Sequence, residues 1–286
     1  MKKWLSILLP FALILFLAAC GTAEEETNEG GNADGGGEAT EETTTLVVGA
    51  SNVPHAEILE EAKPLLEEKG IELEIETFQD YVLPNQALEG GDLDANYFQH
   101  IPYLNAQIAE HGYDFVNAGG IHIEPIGVYS KKYKSLDELP EGALIIISSS
   151  VPDHGRILSL LEKEGLITLK EGIEKTEAII DDIVENPKNL EFDTQYEASL
   201  LPQIFNNDEG DAVLINSNYA IDAGLNPIED SIAIEESDSP YVNVIAVRSG
   251  DENKEAIKAL VEVLRSEEIQ NFILEKYEGA VVPVSE

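Results

Sequence analysis

Cysteine occurs once in these 286 residues, at Cys20, so no intramolecular disulfide can form and the usual role of cysteine in an exported protein is closed. Basic residues are also scarce. Seventeen Lys and Arg stand against 56 Asp and Glu, a formal net charge of -39, which repels nucleic acid and excludes it as a partner. A spanning helix needs about 20 apolar residues, and the N-terminal run from Trp4 to Ala19 is shorter and interrupted by Ser6 and Pro10. HExxH, CxxC and P-loop sequences are missing, and the five histidines, His55, His100, His111, His122 and His154, are scattered. His122 and Glu124 fall on one strand face, but a lone pair does not define a metal centre. An enzyme is therefore the rival class without a reaction centre to support it, and no cofactor or metal is expected.

What the N-terminus does contain is Lys2 and Lys3, the apolar run, and then Leu17-Ala18-Ala19-Cys20. Residues 1–19 read as a signal peptide, and the last four residues of this stretch resemble a bacterial lipobox, with Cys20 as the lipidated first mature residue. Acyl chains contribute about 0.8 kcal/mol per buried methylene, so they hold a protein on a bilayer without a spanning segment. Gly21 to Thr45 has no aromatic or large aliphatic residue and is rich in Glu, Gly and Thr, so residues 20–45 read as a lipidated cysteine and a disordered acidic tether. A membrane-anchored lipoprotein on the extracellular face is expected. The long tether points to a one-membrane, Gram-positive-like envelope.

From Leu46 onward about 240 residues alternate apolar strands with amphipathic helices. Strands are expected at Leu46–Gly49, Ile71–Thr77, Ile126–Tyr129, Leu144–Ile147, Ala212–Ile215 and Val242–Val247. Helices are expected at Ala56–Glu68, Leu83–Gly90 and near Gly155–Lys163, Lys175–Glu185, Tyr196–Phe205 and Glu255–Arg265. This interleaving predicts an α/β fold with parallel-rich sheets. Turn-rich stretches at Glu124–Gly127 and Glu236–Val242 predict two crossings between lobes, giving a first lobe of residues 46–125 plus 241–286 and a second of 126–240.

One stretch carries most of the chemistry: Asp80-Tyr81-Val82-Leu83-Pro84-Asn85, a short helix, then Asp92-Leu93-Asp94-Ala95-Asn96-Tyr97-Phe98-Gln99-His100-Ile101-Pro102-Tyr103-Leu104. Together with Gly155-Arg156, Ile215-Asn216-Ser217-Asn218-Tyr219-Ala220 and Asp238-Ser239-Pro240-Tyr241-Val242-Asn243-Val244, it resembles the methionine-binding lipoproteins, the substrate-binding components of methionine ABC importers. The resemblance covers nearly all of the chain after the tether. It implies a two-lobed, hinged binding-protein fold of the periplasmic type, monomeric, that closes on a free amino acid, above all L-methionine, and delivers it to a permease and its ATPase.

A zwitterion taken out of water needs a cation for its carboxylate and acceptors for its ammonium. Arg156 presents a planar pair of donors and is one of only three arginines, with Arg248 and Arg265. Among so many carboxylates a single arginine otherwise reads as a surface neutraliser, and an asparagine at a strand end as a turn or cap residue. The resemblance assigns Arg156, Asn216 and Asn243 to the ligand's backbone groups, and Tyr81, Phe98, His100 and Tyr103 to its side chain, aromatic walls suited to a thioether. Taken singly, those aromatics read as core and His100 as a structural histidine. The family's Asn-Asp-Pro type turn before Gly-Arg is replaced here by Ser148-Ser149-Ser150-Val151-Pro152-Asp153-His154. That leaves D-methionine, a methionine-containing dipeptide, another amino acid or a surface adhesin on the same fold as alternatives. Arg156→Ala is expected to abolish binding and leave folding intact.

Overall fold

The computed structural model describes residues 43–284. The signal peptide, Cys20 and nearly all of the expected tether lie outside the described residues. The tether boundary moves slightly, because Thr44 and Thr45 already pair with Ile71 and Glu72. Among the described residues no helix is long and apolar enough to cross a membrane.

The chain opens as β1 (Thr44–Ser51), α1 (Glu57–Glu67), β2 (Ile71–Phe78), α2 (Leu83–Gly90), β3 (Ala95–His100), α3 (Ile101–His111) and β4 (Phe115–Ile123). In α1 the residues Ile58, Leu59, Ala62 and Leu66 fall on one helical face and are fully buried. Burying each large aliphatic side chain contributes about 1.5–3 kcal/mol, which fixes that face against the sheet. β2 alternates buried Ile71 and Leu73 with exposed Glu72 and Glu74, the period-2 pattern of an edge strand with one wet face.

After β4 the chain enters a second sheet through β5 (Gly127–Tyr129), β6 (Leu144–Ser148), α4 (Val151–Lys163), β7 (Thr168–Leu169), β8 (Ile183–Glu185), β9 (Glu191–Tyr196), α5 (Leu201–Asn206), β10 (Ala212–Ile215), α6 (Ser217–Asp222) and β11 (Ala233–Ile234). It then returns to the first sheet as β12 (Val242–Arg248), followed by α7 (Glu255–Leu264), α8 (Glu267–Tyr277) and β13 (Val282–Pro283). The first sheet has the order β13-β4-β12-β3-β1-β2 and the second β11-β5-β10-β6-β9; β7 and β8 form a separate ribbon. Each large sheet is packed against its own apolar core, one around Val48, Ile58, Leu66 and Leu260, the other around Ile145, Ile157, Leu161 and Leu214. This is a mixed α/β fold built on two sheets with separate cores, as the expected two-lobed architecture requires.

Parallel pairing is less dominant than the alternation of strands and helices led us to expect. β1 runs parallel to β2 and β3, and β6 to β9 and β10, but β5 is antiparallel to β10 and β11, and β12 is antiparallel to β3 and β4. The antiparallel members include the first strand after each crossing, β5 and β12.

Two expected helices are also corrected. Lys175–Glu185 forms single turns at Lys175–Glu177 and Ile180–Asp182 and then strand β8. The backbone of this segment packs directly on α4 at Gly155, where an added Cβ would stand 2.4 Å from the Lys175 carbonyl oxygen, a tertiary contact that competes with local helix propensity. Tyr196 ends β9, and the helix expected from it is regular only over Leu201–Asn206. At α4 the reverse holds, since the helix begins at Val151 rather than near Gly155, so Asp153 and His154 are helical and Arg156 lies inside the helix rather than after a loop.

Candidate functional site

Five segments converge at strand ends: His100 at the end of β3, Glu124 just past β4, the start of α4 after β6, Asn216 just past β10, and Asn243 near the start of β12. All seven residues expected at the site, Tyr81, Phe98, His100, Tyr103, Arg156, Asn216 and Asn243, line one cavity of about 20 Å³, close to the volume of a single water. Sequence reasoning missed four further lining residues, Gln99, Glu124, Asp153 and Asn218. Tyr81 and Tyr103 also line a larger groove of about 1050 Å³.

His100 is the N-cap of α3, and its Nδ1 accepts the Tyr103 backbone N–H at 3.1 Å. That bond leaves the ring proton on Nε2, which donates to Asp153 Oδ1 at 3.0 Å. Tyr103 Oη donates to the Tyr81 carbonyl at 2.9 Å, and Tyr81 Oη to Asn218 Oδ1 at 2.7 Å. The Tyr81 ring lies 6.0 Å from Phe98, 5.9 Å from Tyr103 and 5.0 Å from Tyr219, centroid to centroid. These rings form one aromatic wall held by hydrogen bonds at its polar ends.

Arg156 is 5% exposed. Its Nε and Nη2 both donate to Asp153 Oδ1, at 3.0 and 2.7 Å, Nη1 donates to the Glu124 carbonyl at 3.2 Å, and its Cζ stands over the Tyr241 ring, 5.0 Å from the centroid. Burial works against charge on both partners. The Arg156 guanidinium and His100 nevertheless hold the Asp153 carboxyl well below the usual carboxylate range, and Asp153 and Glu235 raise the arginine above its ordinary value. The other two arginines are committed elsewhere, Arg248 to the carbonyls of Leu88 and Leu93 and Arg265 to that of Gly120. Asp153 was legible in principle: three residues before Arg156, it shares the same helical face.

The asparagines are not equivalent. Asn216 Nδ2 donates to Asp153 Oδ2 at 3.3 Å, while its Oδ1 is buried without a hydrogen-bond partner. Asn243 Oδ1 instead accepts from His55 Nε2 at 3.2 Å, so its oxygen is already engaged.

Behind the cavity, Glu124 Oε1 accepts from His55 Nε2 at 3.1 Å and from His122 Nε2 at 2.7 Å, and Tyr97 Oη donates to His122 Nδ1. These ligand atoms lie within 4.8 Å of one another. In this network the single His55 Nε2 proton is shared between Glu124 Oε1 and Asn243 Oδ1, His55 Nδ1 has no partner among the described residues, and the two histidines together form a buried support for Glu124. Burial pushes His55 down to about 4 and His122 down to about 3, and it raises the Glu124 carboxyl against the pull of His55 and Arg156. The cluster draws together His55 and the His122–Glu124 pair, which sequence spacing had left apart.

The comparisons with known proteins agree with this architecture. A family model described as NlpA lipoprotein matches residues 46–285. The methionine-binding lipoprotein MetQ of Bacillus subtilis is 48% identical over 98% of this chain and 97% of its own length. Among solved structures, a pheromone cOB1 precursor/lipoprotein of the YaeC family from Enterococcus faecalis is 59% identical, with a TM-score of 0.82 over 84% of this chain and 100% of that one. A nutrient-binding protein from Burkholderia cenocepacia bound to methionine is 41% identical, with a TM-score of 0.78 over 83% of this chain and 99% of that one. The Bacillus and Burkholderia relatives are named as binding proteins, and with a match over most of its length this chain belongs to the NlpA lipoprotein family.

Proposed function

We propose that this protein is the substrate-binding lipoprotein of an ABC importer, that it binds free L-methionine between its lobes, and that it hands the ligand to a permease driven by an ATPase. The observation that carries the reading is the convergence of Tyr81, Phe98, His100, Tyr103, Arg156, Asn216 and Asn243 on one buried cavity at the ends of strands from both sheets. In open α/β sheets, ligands bind outside the carboxyl ends of strands; His100, Glu124 and Asn216 stand at such ends.

In this reading residues 46–125 with 241–286 form one lobe and 126–240 the other, hinged at the two crossings. The cavity of about 20 Å³ is far smaller than an amino acid, so entry requires the lobes to part, with Tyr81 and Tyr103 forming the wall shared with the outer groove. Closure then places the thioether against the aromatic wall, and the polar groups around Arg156, Asn216 and Asn243 take the ends of the amino acid. Lipidation at Cys20 keeps the binder on the outer face of a single-membrane envelope, where an unanchored protein would diffuse away.

The test is a thermal-shift screen of residues 21–286, unfolded and refolded to strip bound ligand, against the amino acids singly. A ligand that binds only the folded state raises Tm. A selective rise with L-methionine supports the proposal, a larger rise with D-methionine reassigns the stereochemistry, and no rise with either form overturns it.

A further inference from the structure

The hydrogen-bonding capacity left open in the cavity does not match a receptor built around the ligand's carboxylate. Arginine recognises a carboxylate through a flat edge that offers two parallel N–H donors. In Arg156 the Nε–Nη2 edge is spent on Asp153 Oδ1, Nη1 donates to the Glu124 carbonyl, and Glu235 Oε2 stands 3.5 Å from Nη1. His100 adds a third donor to Asp153 Oδ1. The positive charge of Arg156 is thus balanced from within the protein before any ligand arrives.

Apart from the second Nη2 proton of Arg156, which has no hydrogen-bond partner among the described residues, what remains open is of the opposite kind. Asp153 Oδ2 accepts one bond only, from Asn216 at 3.3 Å, and a carboxylate oxygen has room for a second donor. Asn216 Oδ1 is buried and accepts none. Asp153 and Asn216 both line the cavity, so two acceptors on adjacent groups, one of them charged, have only the Asn216 Nδ2 donor between them. A primary ammonium, with three donors and no acceptor, is the group that satisfies both.

We propose that in this chain the ligand's ammonium, rather than its carboxylate, is the principal recognition element, read by Asp153 Oδ2 and Asn216 Oδ1. The ligand class is then a primary ammonium carrying an apolar, thioether-sized side chain, in which a neutral amide can replace the free carboxylate. This rests on the reading of the cavity as the methionine site and names what that site selects.

The test is isothermal titration of the mature full-length chain, held in detergent and stripped of ligand, with L-methionine, L-methioninamide and N-acetyl-L-methionine at about pH 6, where the amide's amine is protonated. The expected result is that methionine and its amide bind within about tenfold of each other while the N-acetyl compound is weaker by at least about a hundredfold. Asp153→Asn removes the charge and frees the Arg156 edge. In that variant the preference for methionine over its amide rises by at least about tenfold and the penalty on the N-acetyl compound shrinks. An amide weaker than methionine by a hundredfold in the unaltered protein overturns the inference and leaves the methionine reading standing; so does an equal loss for all three ligands in Asp153→Asn, which marks Asp153 as a mere support for Arg156. Failure of methionine and its amide alike overturns both readings. The unaltered protein decides the question by itself where the variant does not fold.

Discussion

Asp153 and Arg156, three residues apart on one face of α4, close on each other through two hydrogen bonds to a single carboxylate oxygen, with Asp153 1% and Arg156 5% exposed. This makes Arg156→Ala a different experiment from the one the sequence suggested. Removing one member of a buried pair leaves the other charge uncompensated, at a cost of about 3–5 kcal/mol, whereas replacing both with apolar groups is often nearly neutral. Chemical denaturation is expected to show Arg156→Ala strongly destabilised and the double variant Asp153→Leu/Arg156→Met substantially recovered. Both should fail to bind methionine. Unchanged stability in Arg156→Ala means that the pair contributes nothing to the fold.

Acid should weaken the fold from about pH 6.5 downward. His55 and His122 have native values of about 4 and about 3, so below the ordinary histidine value the unfolded chain binds two protons that the native chain refuses. Stability therefore falls as pH falls through this window. Glu124 runs the other way: burial raises its native value, so the folded state holds a proton more readily than the unfolded one and reduces the slope set by the two histidines. The net slope near pH 5 is therefore expected to fall below the two-proton limit set by the histidines, measured by urea denaturation between about pH 4.5 and 7.5. Glu124→Gln should steepen it toward two protons, and a flat profile rejects the neutral buried histidines.

Gly155 should tolerate no side chain. An added Cβ would meet the carbonyl oxygen of Lys175 at 2.4 Å and backbone atoms of Thr176 at 2.8 Å, atoms that cannot rotate away. Overpacking of this kind typically costs about 1–3 kcal/mol. For a chain of this size that lowers Tm by about 2–4 °C per kcal/mol, and the forced shift of α4 should weaken ligand binding as well. A Gly155→Ala variant with unaltered Tm would show that the segment over α4 moves freely.

Cys20→Ser should release the protein from the membrane. Under the proposed lipidation of Cys20, the one cysteine in the sequence, attachment rests on acyl chains. Fractionation after radiolabelled palmitate feeding is expected to find unlabelled variant in the medium and labelled parent in the membrane. Persistent membrane association of the variant points to another anchor.

Several elements were legible because their pattern is local. Apolar alternation in Ile71–Thr77 and the run Ala212–Ile215 match β2 and β10, and Leu83–Gly90 coincides with α2. β3 escaped the periodicity because all six of its residues are buried, polar Asn96, Gln99 and His100 included; no alternation of apolar and polar survives in a strand covered on both faces. The helix expected at Lys175–Glu185 failed because backbone contact with α4 overrode local propensity.

The sequence by itself determined the lipid anchor signal, the α/β alternation and, through its motifs, the roll of residues now found around one cavity, since these rest on residue order and chemistry along the chain. Only the tertiary structure decided that Asp153 occupies the Arg156 edge, that Asn243 is engaged by His55 and that Asn216 keeps an open oxygen. Hydrogen bonds consume donors and acceptors one by one, and which of them remain for a ligand depends on neighbours brought in by folding, such as Asn216 from 63 residues away from Asp153 and Asn243 from 188 residues away from His55.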